Sequence, residues 1–197
     1  MSKKLPEIYL ARHGETAWSR SKQHTGLTDL PLTTNGEKSA QGLGGDLRAA
    51  GNQFSLILTS PLRRAKHTAE LAGYGSAISD SNLVEWDYGD YEGKTSAEIL
   101  ELNPNWKLFR DGCPGGESVA DVTHRADQVI ARLRAHERDA LLFSSGHFLR
   151  VLGARWIGLP AAVGQKFLVD TAAYCNLSYE HNLTEPAIRL WNVCRPH

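Results

Sequence analysis

The sequence carries no surplus of either charge: 22 Lys and Arg balance 22 Asp and Glu. A general attraction to nucleic acid or to an acidic membrane is therefore not indicated, although a local basic pocket is compatible with a neutral whole. Cysteine is scarce. Cys113, Cys175 and Cys194 are widely separated and form neither a CxxC pair nor a ligand cluster, which predicts reduced thiols in a cytosolic protein. No apolar run approaches the length of a membrane span, and the short apolar stretch before Arg12 does not read as a signal peptide. Internal repeats, low-complexity tracts and a clear linker are lacking. So are an HExxH motif and an acidic cage for a metal. These absences predict one domain over residues 1–197, cytoplasmic, with no membrane or nucleic-acid partner and no metal or other cofactor. Homo-oligomerisation is left open.

What is present suits one sizeable core, with 41% hydrophobic residues. Near-continuous apolar runs at residues 7–11 (EIYLA), 54–59 (FSLILT) and 140–144 (ALLFS) suit strands buried on both faces. A late alternating pair, CNLSYEH and PAIRLWNV, predicts an antiparallel edge. Helix starts lie between them. Thr34 with Glu37 fits a capping box for a helix to about residue 50. Ser60-Pro61 opens a second helix that Gly73 stops, and Ser118 with Asp121 opens a third. Residues 146–158 read as a fourth. This alternation predicts a three-layer α/β/α sandwich on a mostly parallel sheet. The irregular, aromatic stretch 81–116 reads as an excursion over one sheet edge. In such folds ligands sit beyond the carboxyl ends of the strands.

The candidate chemistry gathers at those ends. The first strand runs into Arg12-His13-Gly14, which sets a histidine beside a fixed guanidinium suited to phosphate. Gly14 permits close approach of a ligand or of backbone. An ordinary hydrogen-bonded histidine is the competing reading of His13. SPLRRAKHTAE (60–70) places Arg63 and Arg64 in the first turn of a helix, whose N-terminus is itself an anion site; a solvated face is the alternative. LVEWDYGDYEG (83–93) gathers Glu85, Asp87, Asp90 and Glu92. It is either an acidic turn or the source of a partly buried carboxyl that protonates a leaving group. SSGHFLR (144–150) repeats the strand, polar corner, glycine and histidine of the first site.

RHGET, SPLRRAKHTAE, EWDYGDYEG and GGES, in that order, resemble the histidine phosphatase superfamily with its phosphoglycerate-mutase-like fold, from residue 10 to about 192. WSRSKQHTGLTDLPLT, WDYGDYEG, RDGCPGGES and SGHFLR look most like its sugar-bisphosphatase (sedoheptulose-bisphosphatase-like) branch. The resemblance implies a phosphatase of small phosphomonoesters, sugar phosphates or bisphosphates foremost, that releases inorganic phosphate. It implies His13 as the nucleophile that becomes phosphohistidine, Arg12 and Arg64 as clamps on the phosphoryl oxygens, and Glu85 as proton donor. The family's second catalytic histidine falls on Ser145, and His147 matches the other histidine of a His-Gly-His string. Three readings stay open. Ser145 supplies a weaker hydrogen bond, His147 replaces the missing donor, or the chain binds phosphates and turns them over poorly. A structural cap on the following helix is the bland reading of His147. The resemblance also points to Ser19, Thr25, Gly26, Tyr88, Lys94 and Arg110 around substrate, each of which is equally a surface residue by type. His24, His67, His124, His136, His181 and His197 receive no role, and Trp18, Trp86, Trp106 and Trp156 are read as core or wall. A mutase-type phosphotransferase is the remaining enzyme class, disfavoured by the short chain and by the string after Glu85.

Overall fold

The apolar runs become the centre of a six-stranded sheet in the computed structural model, which describes residues 4–51 and 53–194. The strands are β1 (Ile8–Arg12), β2 (Leu56–Thr59), β3 (Ile78–Ser79), β4 (Ala140–Ser144), β5 (Tyr174–Tyr179) and β6 (Pro186–Val193), in the order β3-β2-β4-β1-β5-β6. β1 and β2 both pair in parallel with β4, and β2 pairs in parallel with the short β3. β5 runs antiparallel to β1, and β6 antiparallel to β5, as the alternating late pair predicted.

Successive side chains of a strand point to opposite faces. Ile8 and Leu10 of β1 therefore join Leu58 and Leu142 in one core, while Tyr9 and Ala11 join Leu141 and Phe143 in another. Among the described residues the α-helices are α1 (Ala17–Ser21), α2 (Thr34–Ala49), α3 (Arg63–Leu71), α4 (Ser96–Leu102), α5 (Leu108–Asp111), α6 (Val119–His136) and α7 (Gly146–Trp156). α6 and α7 cover the first face with Val122, Val129, Phe148 and Leu152, and α2 and α3 cover the second with Leu43, Leu47 and Ala69. Burial on both faces explains why the central strands show no polar alternation. No helix among the described residues is long and apolar enough to cross a membrane.

The helix starts differ from expectation where caps are not local. Ser118 and Asp121 do form a capping box on α6. The α2 cap is Thr33, not Thr34, since the Thr33 hydroxyl takes the Gly36 N–H at 3.0 Å. α3 begins at Arg63, later than Ser60-Pro61 suggested, because the Ser60 N–H still bonds the Phe143 carbonyl of the neighbouring strand at 2.9 Å. The Arg63 N–H then donates to the Asp29 carboxylate at 2.7 Å. This helix N-terminus therefore already has its anion, and it comes from the protein. The excursion lies over the carboxyl ends of the central strands rather than along an edge: the Ser144 hydroxyl of β4 donates to the Leu83 carbonyl at 2.7 Å. Trp86, Trp106 and Trp156 are buried, and Trp18 is half-buried.

Candidate active site

β1 and β4 end side by side, with Arg12 level with Ser144. The next residue of each chain is His13 and Ser145, and the His13 N–H donates to the Ser144 carbonyl at 3.0 Å. Parallel register thus sets the His13 and Ser145 side chains beside one another beyond the sheet. His13 is almost fully buried, and its Nδ1 lies 2.8 Å from the Gly14 carbonyl. A carbonyl only accepts, so Nδ1 carries the hydrogen and Nε2 presents its lone pair. Burial, with the Arg64 and Arg12 guanidiniums nearby, holds this imidazole well below the usual histidine range and keeps it neutral. Gly14 is required for packing: a Cβ there would meet the Gly36 carbonyl oxygen at 2.4 Å. Its close approach is therefore to backbone.

Two arginines flank the histidine. Arg12 donates through Nη1 to the Val169 carbonyl at 2.6 Å and lies against Gly146, where a Cβ would sit 3.2 Å from its Cζ. Arg64 is fully buried. Its Nη1 reaches the Thr28 carbonyl at 2.9 Å, and its Nη2 reaches the Gly26 and Thr25 carbonyls at 2.7 and 3.1 Å. Among the described residues, Arg12 Nε, Arg64 Nε and the Ser145 hydroxyl are buried polar atoms without a hydrogen-bond partner. Unpaired buried donors are costly and cluster where a ligand supplies the acceptor. Arg63 is exposed and is not among the residues that line the cavity beside His13.

Glu85 faces this group. Its carboxylate accepts the backbone N–H groups of Trp86 and Phe148 at Oε1 (2.9 and 2.8 Å) and of His147 at Oε2 (3.0 Å). The setting is thus a ring of N–H donors and not an apolar wall. Glu85 caps α7 from outside, so the helix needs nothing from Ser145, its own N-cap residue, whose side chain makes no capping bond. Of the two carboxylate oxygens, Oε2 has the greater capacity left for a proton. Glu92 and Asp87 of the same string hold backbone in place. Glu92 takes the Gly26 and Thr28 N–H groups, and Asp87 Oδ1 takes that of Gly89. Glu117 of GGES binds Arg125 and the Asp87 N–H, and Arg125 reaches the Val84 and Glu85 carbonyls. That clamp fixes the backbone that carries Glu85.

His13, Arg12, Glu85 and Gly146 line a cavity of about 230 Å³, room for a small phosphorylated molecule. The family model of the Histidine phosphatase superfamily (branch 1) matches residues 8–193. The chain belongs to that superfamily. It is 42% identical to an acid phosphatase of Mycobacterium tuberculosis over 183 residues, covering 92% of this chain and 90% of the relative. It is 34% identical to the sedoheptulose 1,7-bisphosphatase of Saccharomyces cerevisiae over 228 residues, covering 94% and 84%. A solved structure of an open reading frame product of M. tuberculosis superposes with a TM-score of 0.91 at 39% identity, covering 97% of this chain and 99% of that one. The sheet and its helices are therefore the phosphoglycerate-mutase-like fold.

Around this histidine phosphatase cavity stand Ser19, Thr25, Tyr88 and His147 as well. His147 is no cap: its backbone N–H goes to Glu85, while its ring Nδ1 lies 2.6 Å from the Tyr88 hydroxyl. Gly26 lies behind the lining and contributes its carbonyl to Arg64. Lys94 is displaced from the expected roof, since its ammonium donates to the Asp90 carbonyl at 3.1 Å and only its own carbonyl reaches inward, to His24. Arg110 is likewise outside, held in an exposed ion pair with Asp111 at 2.6 Å. The cation that lines the cavity instead is Arg150, laid on the Phe109 ring at 4.7 Å and tied to the Gly164 carbonyl at 3.0 Å. Lys22, Gln23, His24 and Ser96 also line it. Arg150 and His24 stand within motifs already singled out, SGHFLR and QHTGLTDL, which was the available signal. His197, given no role, lies outside the described residues.

Proposed function

We propose that the protein hydrolyses small phosphomonoesters, sugar phosphates or bisphosphates foremost, through a phosphohistidine on His13. The observation that carries this reading is the state of His13: buried, neutral, its Nδ1–H spent on the Gly14 carbonyl and its Nε2 lone pair left between two guanidiniums. The Nε2 lone pair attacks phosphorus as the ester P–O bond breaks. Arg12 and Arg64 hold the phosphoryl oxygens through the transfer. Glu85 delivers its proton to the departing alkoxide, then takes one from the water that cleaves the P–N bond. Inorganic phosphate leaves and His13 returns to its neutral state. The sugar-bisphosphatase relative supports a hydroxylated substrate, and the acid phosphatase relative supports hydrolysis over phosphoryl transfer to a second substrate.

Ser145 favours a second reading, a phosphate-binding protein of weakened turnover. Its hydroxyl stands where the family pattern sets a histidine, and a neutral donor replaces one able to carry charge. The test is phosphate release from sugar mono- and bisphosphates in the presence of a chelator. Release that disappears in His13→Ala is the expected result. Binding without release supports the second reading, and release that depends on an added bisphosphate points to a mutase.

A further inference from the structure

Two imidazoles besides His13 line the cavity, those of His24 and His147, and the proposed reaction puts the leaving portion of the substrate beside Glu85, next to His147. His147 adjoins the proton donor, since its N–H bonds Glu85 Oε2, and the His24 ring lies nearly parallel to it with centroids 6.0 Å apart and planes 14° apart. Both rings line the cavity. His24 is buried and edged by Tyr88 and Trp106 at 4.8 and 5.6 Å, so its orientation is fixed.

The partners of the two rings set their polarity. His24 Nδ1 lies 2.9 Å from the Lys94 carbonyl, which only accepts, so Nδ1 carries the hydrogen. Burial lowers the affinity of this ring for a second proton. Its remaining nitrogen, Nε2, is therefore an acceptor. His147 Nδ1 is paired with the Tyr88 hydroxyl at 2.6 Å. A phenol is a much stronger acid than a neutral imidazole N–H, so the phenol donates and Nδ1 accepts. Burial, aided by Glu85, keeps the Tyr88 proton in place, and burial with Arg150 beside it keeps His147 neutral. The hydrogen of His147 is then on Nε2, which makes that nitrogen a donor.

We infer that His24 and His147 are specificity residues of opposite polarity, an acceptor and a donor, that together read hydroxyl groups on the leaving portion of the substrate. A hydroxyl both donates and accepts, so neighbouring hydroxyls of a polyol satisfy the pair, and a hydrocarbon or aryl group satisfies neither. This deepens the proposed phosphatase reading and rests on it for the direction in which substrate lies. Sites built around such buried polar groups discriminate against analogues that leave them unpaired.

The test uses the His13→Ala background, in which bound esters are not consumed, and measures dissociation constants for ribose phosphate and phenyl phosphate. His24→Phe keeps an aromatic ring in place, and the Lys94 carbonyl retains the His24 backbone N–H at 2.9 Å. It should shift the ratio of the two constants about 10-fold toward phenyl phosphate, the scale of one neutral hydrogen bond. His24→Gln, which restores an acceptor oxygen, should recover part of that ratio. An unchanged ratio, or an equal loss for both probes, overturns the inference. Failure of the phosphohistidine reading shows separately, as phosphate release by His13→Ala itself.

Discussion

Removing the Glu85 carboxylate strips partners from three backbone N–H groups at once, two of them, at Trp86 and Phe148, fully buried. A buried donor left unpaired costs about 1–3 kcal/mol, so Glu85→Ala should lose about 3–5 kcal/mol of stability before relaxation. Relaxation has an obvious route. Ser145 already occupies the N-cap position of α7 with extended backbone, φ −121° and ψ 166°, and its hydroxyl has no partner to give up. Without Glu85 that hydroxyl turns to an α7 N–H and recovers about 1 kcal/mol, the usual value of a serine cap. Ser145→Ala should therefore be close to neutral alone and cost about 1 kcal/mol in the Glu85→Ala background. Urea titration of the wild type, both single variants and the double variant closes the cycle. Additive losses would refute the argument, because they would mean that Ser145 contributes the same whether or not Glu85 is present.

Other consequences follow from the same geometry. Ser145→His should raise phosphate release about 10²–10³-fold, the scale of one electrostatic donor at a transferring group, measured as kcat with sugar phosphates; no change would assign the second role elsewhere. Stability should fall as pH drops below 6.5, the ordinary histidine value, because the unfolded chain takes up protons that the buried His13, His24 and His147 refuse. The sign is fixed by folded-state affinities lowered in all three. The loss continues until the folded rings themselves titrate, and urea midpoints between neutral and mildly acidic pH will show it or exclude it.

The parts of the fold legible in the sequence are those set by near neighbours. Strands β1, β2 and β4 are apolar because both faces are covered, and the Ser118–Asp121 box on α6 is complete within four residues. What escaped the sequence is set through space. Asp29 occupies the N-terminus of α3, 34 positions away, and Glu85 caps α7 from 62 positions away. No local pattern announces either. The same holds for the pocket wall: by residue type Arg110 and Arg150 are equivalent, and only the fold, which leaves Arg110 of α5 in a surface pair and lays Arg150 of α7 on Phe109 of α5, separates them. A histidine followed by Thr-Gly, as His24 is, carries no chemistry in sequence until Tyr88 and His147 are folded against it.

The most direct test of the account is to mix the protein with a sugar phosphate, quench in alkali to preserve any phosphoramidate, and locate the phosphoryl group by mass spectrometry. The account predicts phosphate on His13 and none on the His13→Ala protein. A phosphoryl group on another residue, or turnover with no phosphoenzyme and full activity in His13→Ala, would contradict it.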